Sequence, residues 1–307
     1  MNITLTGNLG SGKSSICKIL KAKGFGIVSG GDLFRGVAAE KGLTVIEMNE
    51  LAKKDRSIDD LIDQRSTRLG DELDHTVFDS RLAWNFVRES FKVFLLVDTD
   101  EAARRVFEGD KRQSEEYASA AEAAEGLAQR AFLETERFKT LYNIDYYDKN
   151  NYDLVIESTN ATPKQIAEEL LRQFARYQKC KFTDTVLDLN LKAMYPAEEV
   201  SVPEVIGQEK KQTNEEEAFS LCMSESLSVL SCGGYNLLTE DAPKAAKALA
   251  DGKIFAEVKS FTKGSEAMLD GVSRKVLSNL EEAGNFRYRS YPENGTIKHD
   301  YMMDLSR

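Results

Sequence analysis

Short apolar segments alternate with longer amphipathic segments along the first half of the chain. The apolar segments have the length of β-strands, and they lie at residues 2–6, 25–28, 76–78, 93–97 and 154–156. The amphipathic segments predict helices at residues 13–23, 32–41, 44–54, about 112–140 and 163–176. Because strands that alternate with helices form parallel sheets with helices on both faces, this pattern predicts an α/β fold.

The second half of the chain has a different pattern. All five prolines fall after residue 160, and the polar segment at residues 207–217 is typical of a linker. Beyond it, one helical segment at residues 243–250 lies among strand-like segments at residues 227–230, 235–238 and 254–258. We therefore predict two domains, residues 1–180 with a parallel sheet and residues 181–307 with a smaller α+β fold.

The composition favours a globular protein and disfavours a membrane protein. Apolar residues make up 41% of the 307 residues and charged residues 30%. The N-terminal segment lacks the basic region and cleavage site of a secretory signal, so we expect a cytoplasmic protein that does not bind a membrane. Four cysteines without C-x-x-C spacing and two histidines indicate neither a disulfide framework nor a zinc site.

The net charge bears on the choice of ligand. Asp and Glu number 51 against 41 Lys and Arg, which gives a net charge of -10 and disfavours binding to nucleic acid. An anionic ligand would therefore need a local cluster of basic side chains. Nothing in the sequence predicts the oligomeric state.

Residues 7–14 read GNLGSGKS and match the phosphate-binding pattern G-x-x-x-x-G-K-[ST] at every fixed position. The segment follows a predicted strand and opens a predicted helix, which is the context that this loop requires. Glycines let successive backbone N–H groups face a phosphate, and the helix N-terminus adds partial positive charge. The residues predicted to bind the phosphates of a nucleoside triphosphate are Gly7, Gly10, Ser11, Gly12, Lys13, Ser14 and Ser15.

Within this loop, Lys13 would reach the β- and γ-phosphates, and the Ser14 hydroxyl would bind Mg²⁺. Asp79 follows a predicted strand, where it would either hold a water of the Mg²⁺ shell or serve as an ordinary turn residue. The loop alone does not name a reaction, since switch proteins, motors and small-molecule kinases share it. A motor is disfavoured because the first half lacks a long strand that ends in Asp-Glu.

Phosphoryl transfer between two nucleotides requires cations on both phosphate chains. The candidate cations in the first half are Arg35, Arg81, Arg105, Arg130 and Arg137. Glu134 lies four residues after Arg130 and three before Arg137, so the three side chains project from one stripe of a helix. Alone, this stripe is more typical of a solvated, salt-bridged surface than of a binding site; together with the phosphate loop, it favours a binding site.

The ordered series of motifs resembles the cytidylate kinases, in particular the archaeal-type branch of the P-loop nucleoside monophosphate kinases. The resemblance covers about residues 2–174. Beyond the phosphate loop, the matching motifs are SGGDLFR at residues 29–35, RLA at 81–83, RAFLETER at 130–137, YNID at 142–145 and YDLVI at 152–156. Ile58, Asp59 and Asp63 also match. The resemblance implies a five-stranded parallel core, a monophosphate-binding insertion around residues 30–70 and a mobile lid around residues 107–140.

It also implies ATP with Mg²⁺ as phosphate donor and CMP or dCMP as acceptor. Lys13 and Ser14 would serve the donor, and Arg105 would lie near it. The implied acceptor site consists of Ser29, Asp32, Arg35, Arg81, Arg130, Glu134 and Arg137. Asp145 would order the return of the lid to the core. Two alternatives stay open: a P-loop kinase for another small acceptor, and a non-catalytic protein that senses nucleotides for a partner.

Several positions depart from the family pattern. Ser80 replaces the usual Gly before the Arg-Leu motif, and Trp84-Asn85 replaces an aromatic-glycine pair. Ala102 replaces an arginine, and Gly109-Asp110 replaces an Arg-Glu pair of the lid, with basic residues directly after it. Trp84 is interpreted as a core residue, with an altered base pocket as the alternative. These departures leave the base preference open.

The C-terminal half faintly resembles a degenerate ParB/sulfiredoxin-like domain. The phosphate-binding motif of that fold would fall at residues 239–244, and it is missing. We therefore expect a binding, regulatory or dimerising module without catalysis of its own. Glu240 and Asp241 precede a predicted helix and are expected to cap its N-terminus.

Overall fold

The computed structural model describes residues 1–52, 55–109, 117–191, 194–196, 200–201, 226–232, 235–238, 241–262, 286–293 and 296–303. The chain divides into two compact units. The first contains Met1–Tyr177 and Phe182–Thr185, and the second contains Gln178–Lys181 and Val186–Arg307. The functional assignments of the two predicted domains stay predictions.

A parallel sheet forms the centre of the first unit. Its described strands are β1 (Asn2–Gly7), β2 (Gly26–Ser29), β3 (Thr76–Asp79), β4 (Ser90–Leu96) and β5 (Leu154–Glu157). They lie in the order β2-β3-β1-β4-β5, and each neighbouring pair is parallel. The carboxyl ends of the strands therefore meet at one edge of the sheet. The predicted α/β fold is confirmed.

Helices connect these strands. They are α1 (Lys13–Ala22), α2 (Gly30–Glu40), α3 (Val45–Ala52), α4 (Ser57–Glu72), α5 (Ala83–Phe86), α6 (Thr99–Glu108), α7 (Ala120–Tyr142) and α8 (Pro163–Lys179). The helical segments predicted from the sequence do not cover α4, α5 or α6. The predicted helix over about 112–140 begins later, at Ala120, because the Ser119 hydroxyl accepts a hydrogen bond from the Glu122 N–H and caps α7 there. Residues 110–116 lie outside the described residues.

The core of the first unit fixes the position of the β1–α1 connection. Ile3 and Leu5 of β1 are fully buried, and α1 buries Ile16 and Leu20 at helical spacing. Full burial of such a side chain stabilises the fold by roughly 1.5–3 kcal/mol. Both ends of the loop at residues 7–14 are therefore held by buried side chains.

The second unit contains two sheets and a helix. Its described strands are β6 (Val186–Asn190), β7 (Met194–Pro196), β8 (Val200–Ser201), β9 (Leu227–Cys232), β10 (Tyr235–Leu238), β11 (Phe255–Thr262), β12 (Phe286–Glu293) and β13 (Thr296–Met303), and its helix is α9 (Ala242–Ala250). The strand orders within this unit are β6-β11-β9-β10-β7 and β12-β13-β8. The smaller α+β pattern is confirmed, although the sequence predicted only β9, β10, β11 and α9.

Two expectations about the second half are wrong. Asp241 does not cap α9 with its side chain. Its Oδ2 instead accepts a hydrogen bond from the Ser228 N–H at 2.8 Å, and its Oδ1 pairs with Lys244 Nζ at 2.7 Å. The cysteine pattern predicted no disulfide framework, whereas Cys180 is disulfide-bonded. Glu240 and the predicted linker at residues 207–217 lie outside the described residues.

Within the described ranges, we find no helix with the length and apolar character needed to cross a bilayer. The cytoplasmic location stays a prediction.

Candidate active site

The phosphate loop connects β1 to α1 at the carboxyl edge of the sheet. Gly10 and Gly12 have φ angles of +76° and +87°, which L-residues with side chains rarely adopt. A Cβ atom at Gly10 would also lie 2.8 Å from the Ala102 carbonyl oxygen, so this glycine packs directly against α6. No side chain caps the N-terminus of α1. The loop conformation therefore suits an anion at this helix N-terminus.

Lys13 folds back over this loop. Its Nζ donates hydrogen bonds to the carbonyl oxygens of Gly7 at 3.2 Å and Asn8 at 3.4 Å. Burial, and to a smaller extent the positive charge of Arg81, lower the pKa of Lys13 to about 7, although the charges of Asp79 and Glu134 oppose the shift. The structure thus brings together the loop lysine and side chains from β3, α7 and the segment after β3.

Arg81 joins the phosphate loop to α7. Its Nη1 donates to the Gly7 carbonyl oxygen at 3.2 Å, and its Nε donates to Glu134 Oε2 at 2.9 Å. The other carboxylate oxygen, Oε1, accepts from Arg130 Nε at 3.0 Å. Burial raises the pKa of Glu134, but the charges of Arg81 and Arg130 outweigh burial and hold this pKa below its usual value. The stripe on α7 therefore contacts the phosphate loop through Arg81.

Arg137, the third member of the stripe, contacts α4 instead. Its Nη2 donates to both oxygens of Asp59, at 2.7 and 2.8 Å. One turn further along each helix, Tyr142 Oη donates to Asp63 Oδ2 at 2.7 Å. The Arg56 guanidinium donates to the Leu141 carbonyl oxygen at 3.0 Å. We name these three contacts the α4–α7 clasp.

No role was predicted for Asp59 or Asp63, although both occur in matching motifs. Their place in the site was hard to predict because α4, which carries both residues, has few apolar residues and was not predicted as a helix. The other site residues predicted for the acceptor lie at the end of β2. The Ser29 hydroxyl and the Asp32 carboxylate form a reciprocal cap on α2. Arg35 Nη2 donates to Asp32 Oδ1 at 2.7 Å, and both side chains are exposed.

In the described residues, no hydrogen bond or ion pair joins Arg35 to the cluster of Arg81, Glu134 and Arg130. Ser29 is nevertheless placed at the same sheet edge, since it is in register with Asp79 of the neighbouring strand. The structure therefore groups Arg35 with the edge of the site and not with its centre.

Arg105 holds the connection that follows β5. Its Nε donates to Glu101 Oε1 at 2.8 Å, and its Nη2 donates to the carbonyl oxygens of Ser158 and Thr159 at 2.7 and 2.9 Å. The side chain is 21% exposed. These contacts give Arg105 a structural role, and a donor contact stays a prediction.

The candidate metal ligands are Ser14, exposed on α1, and Asp79, half-buried at the end of β3. Among the described residues, no group of three or more His, Cys, Asp or Glu side chains could hold a metal ion. This donor set fits Mg²⁺ that is bound mainly by phosphate oxygens and water, which is the usual mode for this ion.

Two of the departing positions are packed in the core. Trp84 is 8% exposed, and its ring meets that of Tyr152 edge to face at 5.6 Å. This burial favours the core interpretation over an altered base pocket. Ala102 is buried, and its Cβ would lie 2.9 Å from a Cβ added at Gly10. Asp110 and the basic residues after it lie outside the described residues.

Comparison with known proteins identifies a family for the first half of the chain. The model of the Cytidylate kinase-like family matches residues 2–160. Cytidylate kinase of Methanocella arvoryzae is 33% identical over 180 residues, which cover 58% of this chain and 99% of the relative. Cytidylate kinase of Halobacterium salinarum is 35% identical over 181 residues, which cover 58% and 91%.

Shikimate kinase from Bacteroides thetaiotaomicron aligns in structure over 57% of this chain and 98% of its own, with a TM-score of 0.41 and 16% identity. The family assignment rests on the match over residues 2–160, which includes the phosphate loop and the cluster around Glu134. The chain belongs to the cytidylate kinase-like family.

Proposed function

We propose that the protein transfers the γ-phosphoryl group of ATP to a nucleoside monophosphate, CMP or dCMP, and releases the diphosphate. The observation that carries the proposal is the position of Arg81, which binds the Gly7 carbonyl oxygen and the Glu134 carboxylate at once. A guanidinium between the phosphate loop and α7 suits a phosphoryl group that passes between two nucleotides. Curated relatives of 33% and 35% identity are cytidylate kinases.

In this proposal, the phosphate loop and Lys13 bind the donor nucleotide, and Arg105 lies near it. Ser14 and Asp79 would hold Mg²⁺, which neutralises charge on the transferring group when bound. The acceptor would bind between α2, α4 and α7, at Ser29, Asp32, Arg35, Arg81, Arg130, Glu134 and Arg137. Phosphoryl transfer is assigned to residues 1–180, and residues 181–307 receive no catalytic role.

The reaction needs no strong general base, because the attacking phosphate oxygen of the acceptor is already anionic. Positioning of the two phosphate chains and neutralisation of their charge supply the catalysis. Movement of α7 over both nucleotides would exclude water and prevent hydrolysis of ATP.

The test is a coupled assay of ATP consumption with CMP, dCMP, UMP, AMP and non-nucleotide acceptors. Turnover with CMP or dCMP above the other acceptors supports the proposal. Turnover with a different acceptor supports another P-loop kinase, and nucleotide binding without transfer supports a sensor. Lys13→Ala should reduce turnover by about 100-fold or more. The control, Arg88→Ala, changes an exposed cation after α5 and should retain activity.

A further inference from the structure

A carboxylate lies between two arginines that are assigned to phosphate in the proposed function. Glu134 Oε2 binds Arg81 Nε at 2.9 Å, and Glu134 Oε1 binds Arg130 Nε at 3.0 Å. Each carboxylate oxygen therefore takes a guanidinium N–H that a phosphate oxygen would also use. The carboxylate and a phosphate group therefore compete for these two Nε–H groups.

The Arg81–Glu134 pair is largely shielded from solvent. The Arg81 side chain is 17% exposed and that of Glu134 is 22% exposed. In such surroundings the attraction between the two charges is screened less than at the surface. Two guanidinium groups this close would repel each other without an anion, so Glu134 stabilises their arrangement in the unliganded chain.

The two ends of this arrangement lie on different elements. Arg81 is bound to the Gly7 carbonyl oxygen through Nη1, at 3.2 Å, in addition to its contact with Glu134. Glu134 belongs to α7, so a rotation of its side chain moves the carboxylate without moving Arg81. Arg81 can thus stay at the phosphate loop when the carboxylate leaves.

We infer that Glu134 is an internal counter-ion of Arg81 and Arg130, and that the phosphate group of an incoming nucleotide replaces it. The inference rests on the proposed function for the identity of this ligand as a nucleotide. The released carboxylate then becomes available to hydroxyl groups of the acceptor sugar. Until phosphate arrives, the carboxylate holds the two guanidiniums in place and balances one of their two positive charges, which limits transfer to water.

Inorganic pyrophosphate separates this role from sugar binding, because it carries phosphate without a sugar. Calorimetric titration of the full chain with pyrophosphate should show that Glu134→Gln binds about tenfold more tightly than the unmodified chain. The matched control is Glu136→Gln, which removes the same charge from an exposed position of the same helix. It should change the affinity by less than about twofold.

Equal tightening in both variants would assign the effect to net charge and overturn the inference. Weaker binding by Glu134→Gln would also overturn it, since Glu134 would then orient the arginines for phosphate. If Glu134→Gln does not fold, Glu134→Asp gives a second test. The shorter side chain reaches one guanidinium less well, so tighter pyrophosphate binding supports the inference and unchanged or weaker binding contradicts it.

ATP hydrolysis without an acceptor gives an independent readout. Glu134→Gln should hydrolyse ATP faster than the unmodified chain, and Glu136→Gln should not; equal rates in Glu134→Gln and the unmodified chain would contradict the limit on transfer to water. The pyrophosphate result does not depend on the acceptor. Failure to phosphorylate CMP would therefore disprove the proposed function alone, whereas normal CMP turnover without tighter pyrophosphate binding would disprove this inference alone.

Discussion

Arg137 on α7 and Asp59 on α4 form a two-oxygen ion pair across 78 residues of sequence. The Asp59 side chain is 18% exposed, whereas that of Arg137 is 50% exposed. Asp59 is thus the better-shielded partner and fixes the direction of the guanidinium. The pair connects the helix that carries the Glu134 cluster to the helix that follows α3.

Replacement of Asp59 by Asn should raise the KM for the acceptor by about fivefold and change kcat less. The amide keeps the shape of the side chain but loses the charge that orients Arg137. Steady-state kinetics with the preferred acceptor measure both constants. Asp60→Asn is the control, because Asp60 is exposed and its ion pair with Arg56 is long, at 3.9 Å. An unchanged KM in Asp59→Asn would show that Arg137 does not depend on this pair.

The α4–α7 clasp also predicts a dependence of stability on pH. Burial raises the pKa of Asp63 to about 6, from an ordinary value of 3.8. The hydrogen bond from Tyr142 opposes this shift, the charges of Asp59 and Asp60 add to it, and Arg56 opposes it. The folded chain therefore binds the Asp63 proton more tightly than the unfolded chain. This group adds stability below about pH 4 and loses that contribution as the pH rises through about 6.

Asp63→Asn should consequently raise the free energy of unfolding near pH 7.5 by about 1 kcal/mol and leave it little changed near pH 4. The amide oxygen still accepts the hydrogen bond from Tyr142. Denaturant unfolding at both pH values measures the difference. Asp71→Asn, at an exposed position of α4, serves as control. A gain in stability that is the same at both pH values would refute the assignment to Asp63 ionisation.

Gly10→Ala should destabilise the phosphate loop by about 2 kcal/mol or more, through backbone strain and a collision with Ala102. Gly24→Ala tests strain alone, since Gly24 has a φ of +96° and nothing lies within 4 Å of an added Cβ. Thermal unfolding and pyrophosphate titration of both variants separate the two effects. Gly10→Ala should lose affinity, and Gly24→Ala should keep it. Equal stability and equal pyrophosphate affinity of the two variants would mean that the contact between Gly10 and α6 does not affect phosphate binding.

Arg105→Ala should lower the free energy of unfolding by about 2 kcal/mol, because the Ser158 and Thr159 carbonyl oxygens lose their donor. The adjacent Arg104 is exposed and pairs with Glu101 and Glu108 on its own helix. Arg104→Ala should therefore change stability much less. Denaturant unfolding of the two variants makes the comparison. Similar losses would contradict a structural role that is specific to Arg105.

The phosphate loop was predictable because its determinants are local. A strand, two fixed glycines and a lysine lie within fourteen residues, and each follows from backbone geometry or phosphate chemistry. The helix α4 was not predictable in the same way. Its apolar stripe is short, since Ile58, Leu61 and Ile62 lie at helical spacing and only Leu69 follows them among many polar residues.

The side-chain partners that the sequence did not predict are contacts between residues that are distant in the chain. The Arg81–Glu134 bond joins residues 53 apart, and the i, i+4 spacing of Arg130 and Glu134 is equally compatible with a solvated surface pair. Asp241 was expected to cap α9 from its position in sequence. A backbone N–H of β9 competes for the same carboxylate, which no local pattern reveals.

A single backbone oxygen, that of Gly7, receives both Lys13 Nζ and Arg81 Nη1, each at 3.2 Å. When Lys13 Nζ turns toward a phosphate group, this carbonyl loses a hydrogen-bond donor and its stretching frequency should rise. An isotopic label at Gly7 would move its band away from the rest of the amide spectrum. Infrared difference spectroscopy could then follow the loading of the loop directly, without a coupling enzyme or a modified nucleotide.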